Sequence, residues 1–558
     1  MGIPGLFAWV RKNSPHVIRA VRHNNIRQEL DHNIDNLCLD MNGIFHEACQ
    51  KVYKYGSYAS KNNSDETELL PPKKMQKKVF YEIGNIVNNL VYRVSPSKRV
   101  LIMVDGPAGN AKQSQQRQRR YRSALDTEKK FDSNCISPGT EWMDHLSKYM
   151  DQFIRREITF NRIWKNLEVI FSNEKVVGEG EHKAVKFIRK HGSPTESYMI
   201  YGLDADLIML ALSTQNILAR NSYSISPPKF YILRDDQYTH QLLIIDISMF
   251  REFLIGEITW GMDCSRNSLI NDYIFLCFLL GNDFLPHSPT VDLIEGGLEL
   301  LFESYSGACE KHNRHLIEDG KFIPEVLKDI LHNISIYENM ILEDTIRKGD
   351  KFADPLLQKH ISSDENGNKS LNFEMYRKEY YKSKFPSQTP QKVCHEYFHG
   401  MEWVYKYYTS GIPSWTWSYP FNYSPFAREM VESLDTYQTT PFEFGKPMEL
   451  YKQLLSILPP QSKHLLPQKF HSLIETFPSS VIVDLAGKKF DWQGVVIIKS
   501  IPNFENEYKE ILNSMTHDEK KRNFLGKQYK YTNNPNLKYP YKNYYGEFES
   551  SANVEIFE

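Results

Sequence analysis

Short apolar runs that end at an acidic residue recur through the first half of the chain. The run Val100–Val104 is followed by Asp105, and the run Leu37–Leu39 is followed by Asp40. A compact apolar run rich in β-forming residues is typical of a strand that is buried on both faces of a sheet. Similar runs predict further strands at 167–171, at the start of 197–212 and near 229–248.

Helical patterns separate these strands. The predicted helices lie at 75–94, after a turn at 131–143 and up to about 157, within 176–190, at the end of 197–212, and at 272–286. The polar, lysine-rich stretch 52–78 predicts an exposed loop. Alternation of strands and helices predicts an α/β fold with a mostly parallel sheet flanked by helices.

The rest of the chain changes in composition twice. A charged helical stretch follows the α/β core, and a region rich in aromatic residues and proline comes after it. The last residues are rich in Tyr and Asn and poor in aliphatic residues, so we expect a loosely attached tail. The predicted domain organisation is a core at 1–299, a helical connection at 300–390, a second region at 391–525 and a tail at 526–558.

Composition restricts the compartment and the partners. The 558 residues include 68 basic and 69 acidic side chains, so any binding of nucleic acid must use local patches rather than net charge. The seven cysteines follow no zinc-ligand spacing and suggest a reducing compartment. The sequence contains no signal peptide and no apolar stretch of about 18 residues, so we expect a soluble intracellular protein without a membrane partner.

Acidic residues follow several predicted strands. Because the carboxyl ends of parallel strands meet at one edge of an open sheet, these side chains are expected to converge. Clustered carboxylates repel one another unless cations lie between them, and oxygen ligands favour Mg²⁺ or Mn²⁺. Two such ions would suit hydrolysis of a phosphodiester. The candidate ligands and catalytic residues are Asp40, Asp105, Glu179, Glu181, Asp204, Asp206 and Asp283.

Glu179 and Glu181 would point about 200° apart on a regular helix. They converge only if Gly178 and Gly180 form a non-helical turn before the helix begins. Any single acid at the end of a strand is more often a turn former or a helix cap, so the prediction depends on the whole set.

A basic helix follows the strand that ends near Asp105. Lys112, Gln116, Arg119 and Arg120 fall at i, i+4, i+7 and i+8 and therefore share one helical face. This face could hold a phosphate beside a metal, although a solvated basic helix is an equally good interpretation of the stretch alone.

Together these motifs resemble the XRN family of 5′→3′ exoribonucleases over nearly the whole chain. The resemblance is carried, in order, by MGIPGLFAWV, LCLDMNGIFH, VDGPAGNAKQSQQRQRR, FDSNCISPGTEWM, VGEGEHKAVKFIR, GLDADLIML and GNDFLPH. GIPSWTWSYPFNYSPF, LPPQSKHLLP and WQGV resemble the family's second conserved region. The resemblance implies a PIN/flap-nuclease-like core, completed by the aromatic-rich region packed on it.

The resemblance also implies a mechanism. The seven acids would bind metal, and the Lys112, Gln116, Arg119 and Arg120 face would bind the 5′-monophosphate of single-stranded RNA. His46 and a tryptophan of the 411–417 motif would stack on the first bases; Trp415 is preferred, and Trp417 is the alternative. The expected activity is processive release of mononucleotides in RNA decay.

The remaining expectations concern the cell. The long C-terminal extension and the zinc knuckle of some relatives are absent from the sequence. We expect a monomer that acts in the cytoplasm with decapping or RNA-processing partners; the nucleus, and a viral protein acting in a host cell, are the alternatives. The KKMQKK stretch is too weak a nuclear signal to change this expectation.

Two other functions fit part of the pattern. A structure-specific 5′ flap DNA nuclease shares the MGI-x-GL start and the acids at strand ends. Such an enzyme is expected to carry a Gly-rich helix-hairpin-helix after Asp283, where this chain has FLPHSPTVDLIEGG. A non-catalytic RNA-binding scaffold is the second alternative, and the complete set of acids argues against it.

Overall fold

The computed structural model describes residues 2–557, except for 60–71, 126–130, 221–226, 237–238, 240, 262–263, 294–295, 348–353, 368 and 486–493. None of the described helices combines the length and the apolar character needed to cross a membrane.

The first 260 residues alternate between strands and helices. The strands are β1 (Ile18–Ala20), β2 (Asn36–Asp40), β3 (Arg99–Met103), β4 (Glu168–Ser172), β5 (Tyr198–Tyr201), β6 (Phe230–Asp235) and β7 (Leu242–Asp246). The helices are α1 (Leu6–Asn13), α2 (Arg27–Leu30), α3 (Met41–Tyr53), α4 (Pro72–Val94), α5 (Asn110–Ser123), α6 (Glu141–Phe160), α7 (Gly180–His191), α8 (Asp206–Arg220) and α9 (Ile247–Ile258).

The middle of the chain is mainly helical and contains two small hairpins. Its helices are α10 (Arg266–Leu276), α11 (Gly297–His312), α12 (Pro324–Arg347), α13 (Pro355–Gln358) and α14 (Phe373–Lys384). Its hairpins pair β8 (Ile317–Glu318) with β9 (Lys321–Phe322), and β10 (Ile361–Ser363) with β11 (Lys369–Leu371).

The last part contains short helices and then strands. The helices are α15 (Pro390–Thr409), α16 (Ala427–Leu434), α17 (Leu450–Ile457), α18 (His471–Ile474), α19 (Glu505–Ser514) and α20 (His517–Asn523). The strands are β12 (Val481–Asp484), β13 (Val495–Ile498), β14 (Gln528–Asn533), β15 (Tyr539–Asn543), β16 (Gly546–Ser550) and β17 (Ala552–Phe557).

A nine-stranded sheet forms the centre of the molecule, in the order β1-β7-β6-β5-β2-β3-β4-β14-β17. The five strands from β6 to β4 are parallel, and both edges of the sheet are antiparallel. Alternate residues of β2 enter different cores, because Leu37 and Leu39 lie in one apolar cluster and Cys38 lies in the other. Burial on both faces explains the unbroken apolar runs and confirms the mostly parallel α/β prediction for the centre of the sheet.

The aromatic-rich region packs directly on this core. Tyr397, Trp403 and Tyr408 of α15 belong to the same apolar cluster as Leu101 of β3. Trp403 is 1% exposed. The predicted packing of the second region on the α/β core is therefore confirmed.

Two element boundaries differ from the sequence prediction. The predicted loop at 52–78 is wrong at both described ends, because α3 continues to Tyr53 and α4 begins at Pro72; 60–71 lie outside the described residues. The predicted helix at 272–286 is also wrong in extent, because α10 ends at Leu276 and a short 3₁₀ turn follows. The lysines of KKMQKK thus lie on the first turns of α4, which buries Met75.

The described residues 526–557 are not a loosely attached tail. Residues 529–531 of β14 pair antiparallel with β4, and all six residues of β14 pair with β17. Tyr531 is 1% exposed, and its hydroxyl donates to Asp151 Oδ1 of α6 at 2.7 Å. The expectation failed because tyrosine, rather than aliphatic residues, supplies the buried surface of this strand.

Candidate active site

The acidic residues meet at the carboxyl edge of the parallel strands. Asp40 ends β2 and pairs in register with Met103 of β3, two residues before Asp105. One carboxylate oxygen of Asp40, one of Asp105 and one of Glu181 lie within 4.8 Å of one another. The parallel register therefore produces the convergence that the sequence pattern predicted.

The glycine turn before α7 brings Glu179 and Glu181 together. Glu179 is the extended N-cap residue of α7, and Gly178 before it has φ +105°. The amide of Gly180 donates to Asp105 Oδ1 at 2.7 Å. A Cβ at Gly180 would lie 2.8 Å from Asp40 Oδ1, so the turn requires glycine there.

A second group of possible ligand atoms includes a nitrogen. Glu179, Glu181 and His182 each offer one atom within 4.8 Å of the others. Burial lowers the pKa of His182 to about 3, so its imidazole is neutral. The expected oxygen-only set therefore has a histidine next to it, which the sequence analysis overlooked.

Lys112 crosses the acidic cluster from α5. Its ammonium nitrogen lies 2.5 Å from Glu179 Oε2 and 2.8 Å from Asp283 Oδ2. The other oxygen of Asp283 accepts the backbone amide of Gly2 at 3.1 Å. In this arrangement Lys112 neutralises acids, whereas Arg119 on the same helix face is exposed to solvent.

Two groups of carboxyl groups differ in charge state. Burial, followed by repulsion from Asp105 and Asp204, raises the pKa of Asp40 well above its ordinary value. Burial and the nearby Asp204 likewise raise the pKa of Asp206 to about 7. Burial opposes ionisation of Asp283 as well, but Lys112 outweighs it and lowers the pKa of Asp283 to about 2.

The buried oxygens test whether a cation fits. Asp40 Oδ1 and Asp206 Oδ1 are buried and have no hydrogen-bond partner. Carboxylates that are buried, close together and short of donors are the environment that a hard divalent cation stabilises. The residues present therefore fit a metal ion.

A basic surface lies along α5 beyond Lys112. Arg120 donates to Ser137 Oγ from Nε at 3.1 Å and from a terminal nitrogen at 2.7 Å. Arg119 is exposed and pairs with no acid among the described residues. Burial and the charge of Arg119 lower the pKa of Arg120 to about 9. The Oε1 of buried Gln116 has no partner, but it is an acceptor, so Arg119 is the group on this surface that is available to an anion.

His46 lies near the two arginines. Burial, then the charges of Arg119 and Arg120, lowers the pKa of His46 to about 4. The ring is therefore neutral at physiological pH.

The tryptophan motif closes over the start of α5. The backbone amide of Asn110, the first residue of α5, donates to the carbonyl of Trp415 at 2.9 Å. Trp415 is 8% exposed and stacks on no aromatic ring of the described residues. Trp417 instead stacks on Trp403 with a centroid distance of 5.0 Å.

Comparison with known proteins identifies the family. The family model described as "XRN 5′-3′ exonuclease N-terminus" matches residues 1–235 of this chain. A second family model, described as "Xrn1 helical domain", matches residues 263–375 and 358–554. The chain belongs to the XRN 5′-3′ exonuclease family. The PIN-like α/β core and the packed helical region predicted from the sequence are those of this family.

Relatives of the XRN family match nearly the whole chain. The chain is 26% identical to 5′-3′ exoribonuclease 2 of Debaryomyces hansenii, over 100% of this chain and 74% of the relative. It is 29% identical to 5′-3′ exoribonuclease 1 of Homo sapiens, over 94% of this chain and 35% of the relative. It is 27% identical to 5′-3′ exoribonuclease 1 of Saccharomyces cerevisiae, over 97% of this chain and 45% of the relative. The chain thus spans less than half of the two exoribonuclease 1 proteins.

Two tyrosines of the XRN helical region contact the acids, and sequence reasoning missed both. The hydroxyl of Tyr407 donates to Glu179 Oε1 at 2.5 Å, and that of Tyr408 donates to Asp206 Oδ2 at 3.4 Å. Tyr407 also stacks on His182 with centroids 3.8 Å apart. Within the run VYKYYTS the two residues resemble ordinary core aromatics, so the pattern carried no signal for them.

Asn42 was missed as well. Its amide nitrogen donates to Asp105 Oδ2 at 2.8 Å, and its amide oxygen accepts the backbone N–H of Asp105 at 3.2 Å. Asn42 follows Asp40 by two residues in the quoted motif LCLDMNGIFH, and that proximity was the available signal.

Proposed function

We propose that the protein is a processive 5′→3′ exoribonuclease that degrades single-stranded RNA with a 5′-monophosphate end to mononucleotides and acts in RNA decay. The observation that carries the proposal is the position of α5. One end of this helix reaches into the acidic cluster through Lys112, and the next turns carry Arg119 and Arg120, which form no ion pair with any acid in the described part of the chain. An anion-binding surface and a metal-binding cluster thus lie on neighbouring parts of one helix.

The basic surface suits a terminal phosphate. Two guanidinium groups can donate charge-assisted hydrogen bonds to several phosphate oxygens. Gln116 lies on the same helix face, and its Nε2 is the atom that could donate to a phosphate. A 5′-hydroxyl end would leave these donors without a partner, so the rate of hydrolysis should depend on the 5′-monophosphate.

The seven carboxylates would hold the metal, with Lys112 offsetting part of their repulsion. When bound, two Mg²⁺ or Mn²⁺ ions would favour deprotonation of the attacking water and offset the negative charge that develops at the scissile phosphate. Water adds to the phosphorus between the first two nucleotides, and the 3′ oxygen of the first nucleotide leaves. The shortened RNA then carries a new 5′-monophosphate, so each cycle regenerates the end that α5 recognises.

Base stacking would align the strand without regard to sequence. We assign this role to neutral His46 and to Trp415, whose carbonyl accepts the first amide of α5. Stacking contributes about 1–3 kcal/mol per base. The packing of Trp417 on Trp403 favours a structural role for Trp417.

Several expectations remain predictions. They are the domain boundaries at 299, 390 and 525, a monomeric state, decapping or RNA-processing partners, and a cytoplasmic rather than nuclear site of action. Tyr407, Tyr408 and Asn42 are added to the candidate site as positioning residues, because each donates to a predicted ligand.

A digest of labelled substrates tests the proposal. Purified protein is incubated, with Mg²⁺ and with chelator, with 5′-monophosphate RNA, 5′-hydroxyl RNA and a 5′-flap DNA. Rapid Mg²⁺-dependent release of mononucleotides from the monophosphate RNA alone is the expected result. Equal rates on both RNA ends would contradict the assigned phosphate pocket. Cleavage of the flap DNA instead of RNA would overturn the exoribonuclease proposal, as would an absence of metal-dependent cleavage.

A further inference from the structure

A cleft of about 320 Å³ opens beside α1, outside the site described above. It is lined by Phe7, Arg11, Lys12, Arg234, Asp235 and Asp236. Arg234 lies on β6, which is parallel to β5 and immediately next to it in the sheet. The cleft therefore lies at the same edge of the sheet as the acidic cluster, next to the strand that precedes Asp204.

Arg234 is buried, and the described residues offer it no polar partner. It is 6% exposed, its Nε has no hydrogen-bond partner, and no described residue forms a hydrogen bond or an ion pair with its guanidinium. The guanidinium lies over the ring of Phe7, 3.9 Å from the centroid. A buried guanidinium without acceptors is costly, so this arrangement points to a ligand that supplies them.

The acids of the cleft are already paired. Asp235 Oδ2 accepts the hydroxyl of Tyr201 at 2.5 Å, and Asp236 Oδ2 lies 3.3 Å from a guanidinium nitrogen of Arg11. Lys12 is exposed and pairs with no acid that the structure describes. Lys12 and Arg234 are therefore the two cations of the cleft that are available to an anion.

Strand order sets the direction from one site to the other. The helix α5 follows β3, the acids Asp40 and Asp204 follow β2 and β5, and Arg234 is on β6. Asp40 and Asp204 thus stand between the strand that leads into α5 and the strand that carries Arg234. An RNA whose 5′ phosphate is bound by α5, and whose first internucleotide bond reaches these acids, would continue in its 3′ direction toward β6.

We propose that the cleft between Phe7, Lys12 and Arg234 binds a backbone phosphate of the RNA strand on the 3′ side of the cleavage site. This inference rests on the proposed exoribonuclease function. Arg234 would donate to the phosphate oxygens with a geometry fixed by Phe7, while Lys12 would add charge at the mouth of the cleft. Such a contact would hold the remaining RNA after each mononucleotide leaves, and it would therefore support processivity.

The test measures binding as a function of RNA length. Asp206→Asn protein, which we expect to bind RNA without hydrolysing it, is titrated into 3′-labelled, 5′-monophosphorylated RNAs of different lengths, from dinucleotide to twelve nucleotides, and anisotropy is recorded. Adding Arg234→Ala should weaken binding of the long RNAs about 10- to 100-fold, the range for one lost charge-assisted contact, and leave the dinucleotide unchanged. The slope of log K against log salt should fall by about 0.7.

A second variant guards against misfolding. Lys12→Ala changes an exposed side chain and should weaken long-RNA binding by a smaller factor in the same direction, with an unchanged melting temperature. Arg156→Ala, an exposed arginine on α6, is the matched control and should change nothing. In the catalytically competent protein, Arg234→Ala should shorten the run of nucleotides released per binding event and retain cleavage of short substrates.

Other results would overturn the inference. Equal weakening at every length, or no weakening at any length, would show that Arg234 does not contact the downstream strand. Loss of inhibition by a free 5′-mononucleotide, with RNA binding intact, would assign the cleft to the product instead. Failure of the proposed function is distinguishable, because the protein without Arg234→Ala would then show no metal-dependent release of mononucleotides.

Discussion

Tyr407 donates its hydroxyl hydrogen to Glu179 at 2.5 Å, although the two residues are 228 positions apart in the sequence. The bond joins the helical region to the glycine turn that carries two of the seven acids. The other oxygen of Glu179 forms an ion pair with the ammonium group of Lys112, so both carboxylate oxygens are held in place. The helical region therefore sets the orientation of a predicted metal ligand and does more than cover the core.

The first prediction concerns this hydrogen bond. Tyr407→Phe should reduce the rate of RNA hydrolysis about tenfold and raise the Mg²⁺ concentration needed for half-maximal activity, because one buried acceptor loses its neutral donor. Tyr92→Phe, an exposed tyrosine at 61% exposure, is the control and should have no effect. A rate equal to that of the parent at all Mg²⁺ concentrations would contradict a positioning role for Tyr407.

The second prediction concerns the 5′ end. Arg119→Ala should reduce the ratio of rates on 5′-monophosphate and 5′-hydroxyl RNA at least tenfold, because an unpaired guanidinium on α5 is lost. Since Arg119 is exposed, the melting temperature should not change. Arg156→Ala serves again as the exposed control. An unchanged ratio of rates would remove Arg119 from the phosphate pocket.

The third prediction concerns the glycine turn. Gly180→Ala would place a methyl group 2.8 Å from Asp40 Oδ1 and 2.9 Å from the carbonyl of Met103. Hydrolysis should fall by at least a hundredfold, as Glu179, Glu181 and Asp40 are pushed apart. Gly256→Ala is the matched control, since nothing lies within 4 Å of that added Cβ. The control lies inside α9 and should stabilise the protein by about 0.5–1 kcal/mol. Full activity of Gly180→Ala would disprove the close approach.

The fourth prediction concerns the end of the chain. Tyr531→Ala should lower the free energy of unfolding by about 3–5 kcal/mol, the range for a large aromatic residue lost from a core. Tyr544→Ala, at 75% exposure, should change it by less than about 0.5 kcal/mol. Chemical denaturation of the two variants makes the comparison. Equal effects would restore the interpretation of 526–558 as a loosely attached tail.

The fifth prediction concerns pH. Glu174 is 1% exposed, and burial raises its pKa from 4.5 to about 7. A carboxyl group with a raised pKa binds more protons in the folded state, so stability declines as the pH rises from about 4.5 to 7 and is flat above. Glu174→Gln should remove up to about 3 kcal/mol of this decline. The decline in stability is measured from the denaturation midpoints at pH 5 and pH 8, and Glu432→Gln, a change at an exposed residue, is the control. An undiminished decline in Glu174→Gln would assign it to other groups.

The sequence predicted the parallel centre of the sheet because both faces of these strands are buried. Runs such as Val100–Val104 therefore contain no polar residue to obscure them, and the acids that follow mark the strand ends. The convergence of Asp40 and Asp105 follows from the strand register, which a parallel arrangement largely dictates, and the glycine turn before α7 brings Glu181 to them.

Contacts between segments that are distant in sequence could not be predicted from the pattern of apolar and polar residues. Tyr407 and Lys112 reach the acids through tertiary packing, and their neighbours in sequence do not distinguish them from core or surface residues. Lys112 was predicted correctly to share a helix face with Arg119, but the acids that attract its ammonium come from α7 and from the loop after α10. The expectation of a loosely attached tail was wrong because tyrosines such as Tyr531, rather than aliphatic residues, supply its buried surface.

The pairing of β14 with β4 has a consequence for synthesis of the protein. A ribosome completes β4 hundreds of codons before it reaches β14, and during that interval the edge of the sheet offers unpaired backbone groups to any neighbouring strand. Two hydrogen bonds also cannot form until the later part of the chain is synthesised: the one from Asn110 to Trp415 and the one from Tyr407 to Glu179. A nascent chain thus carries every predicted acid well before it can assemble the site, so under the proposed function we expect it not to hydrolyse RNA until the late segments have folded.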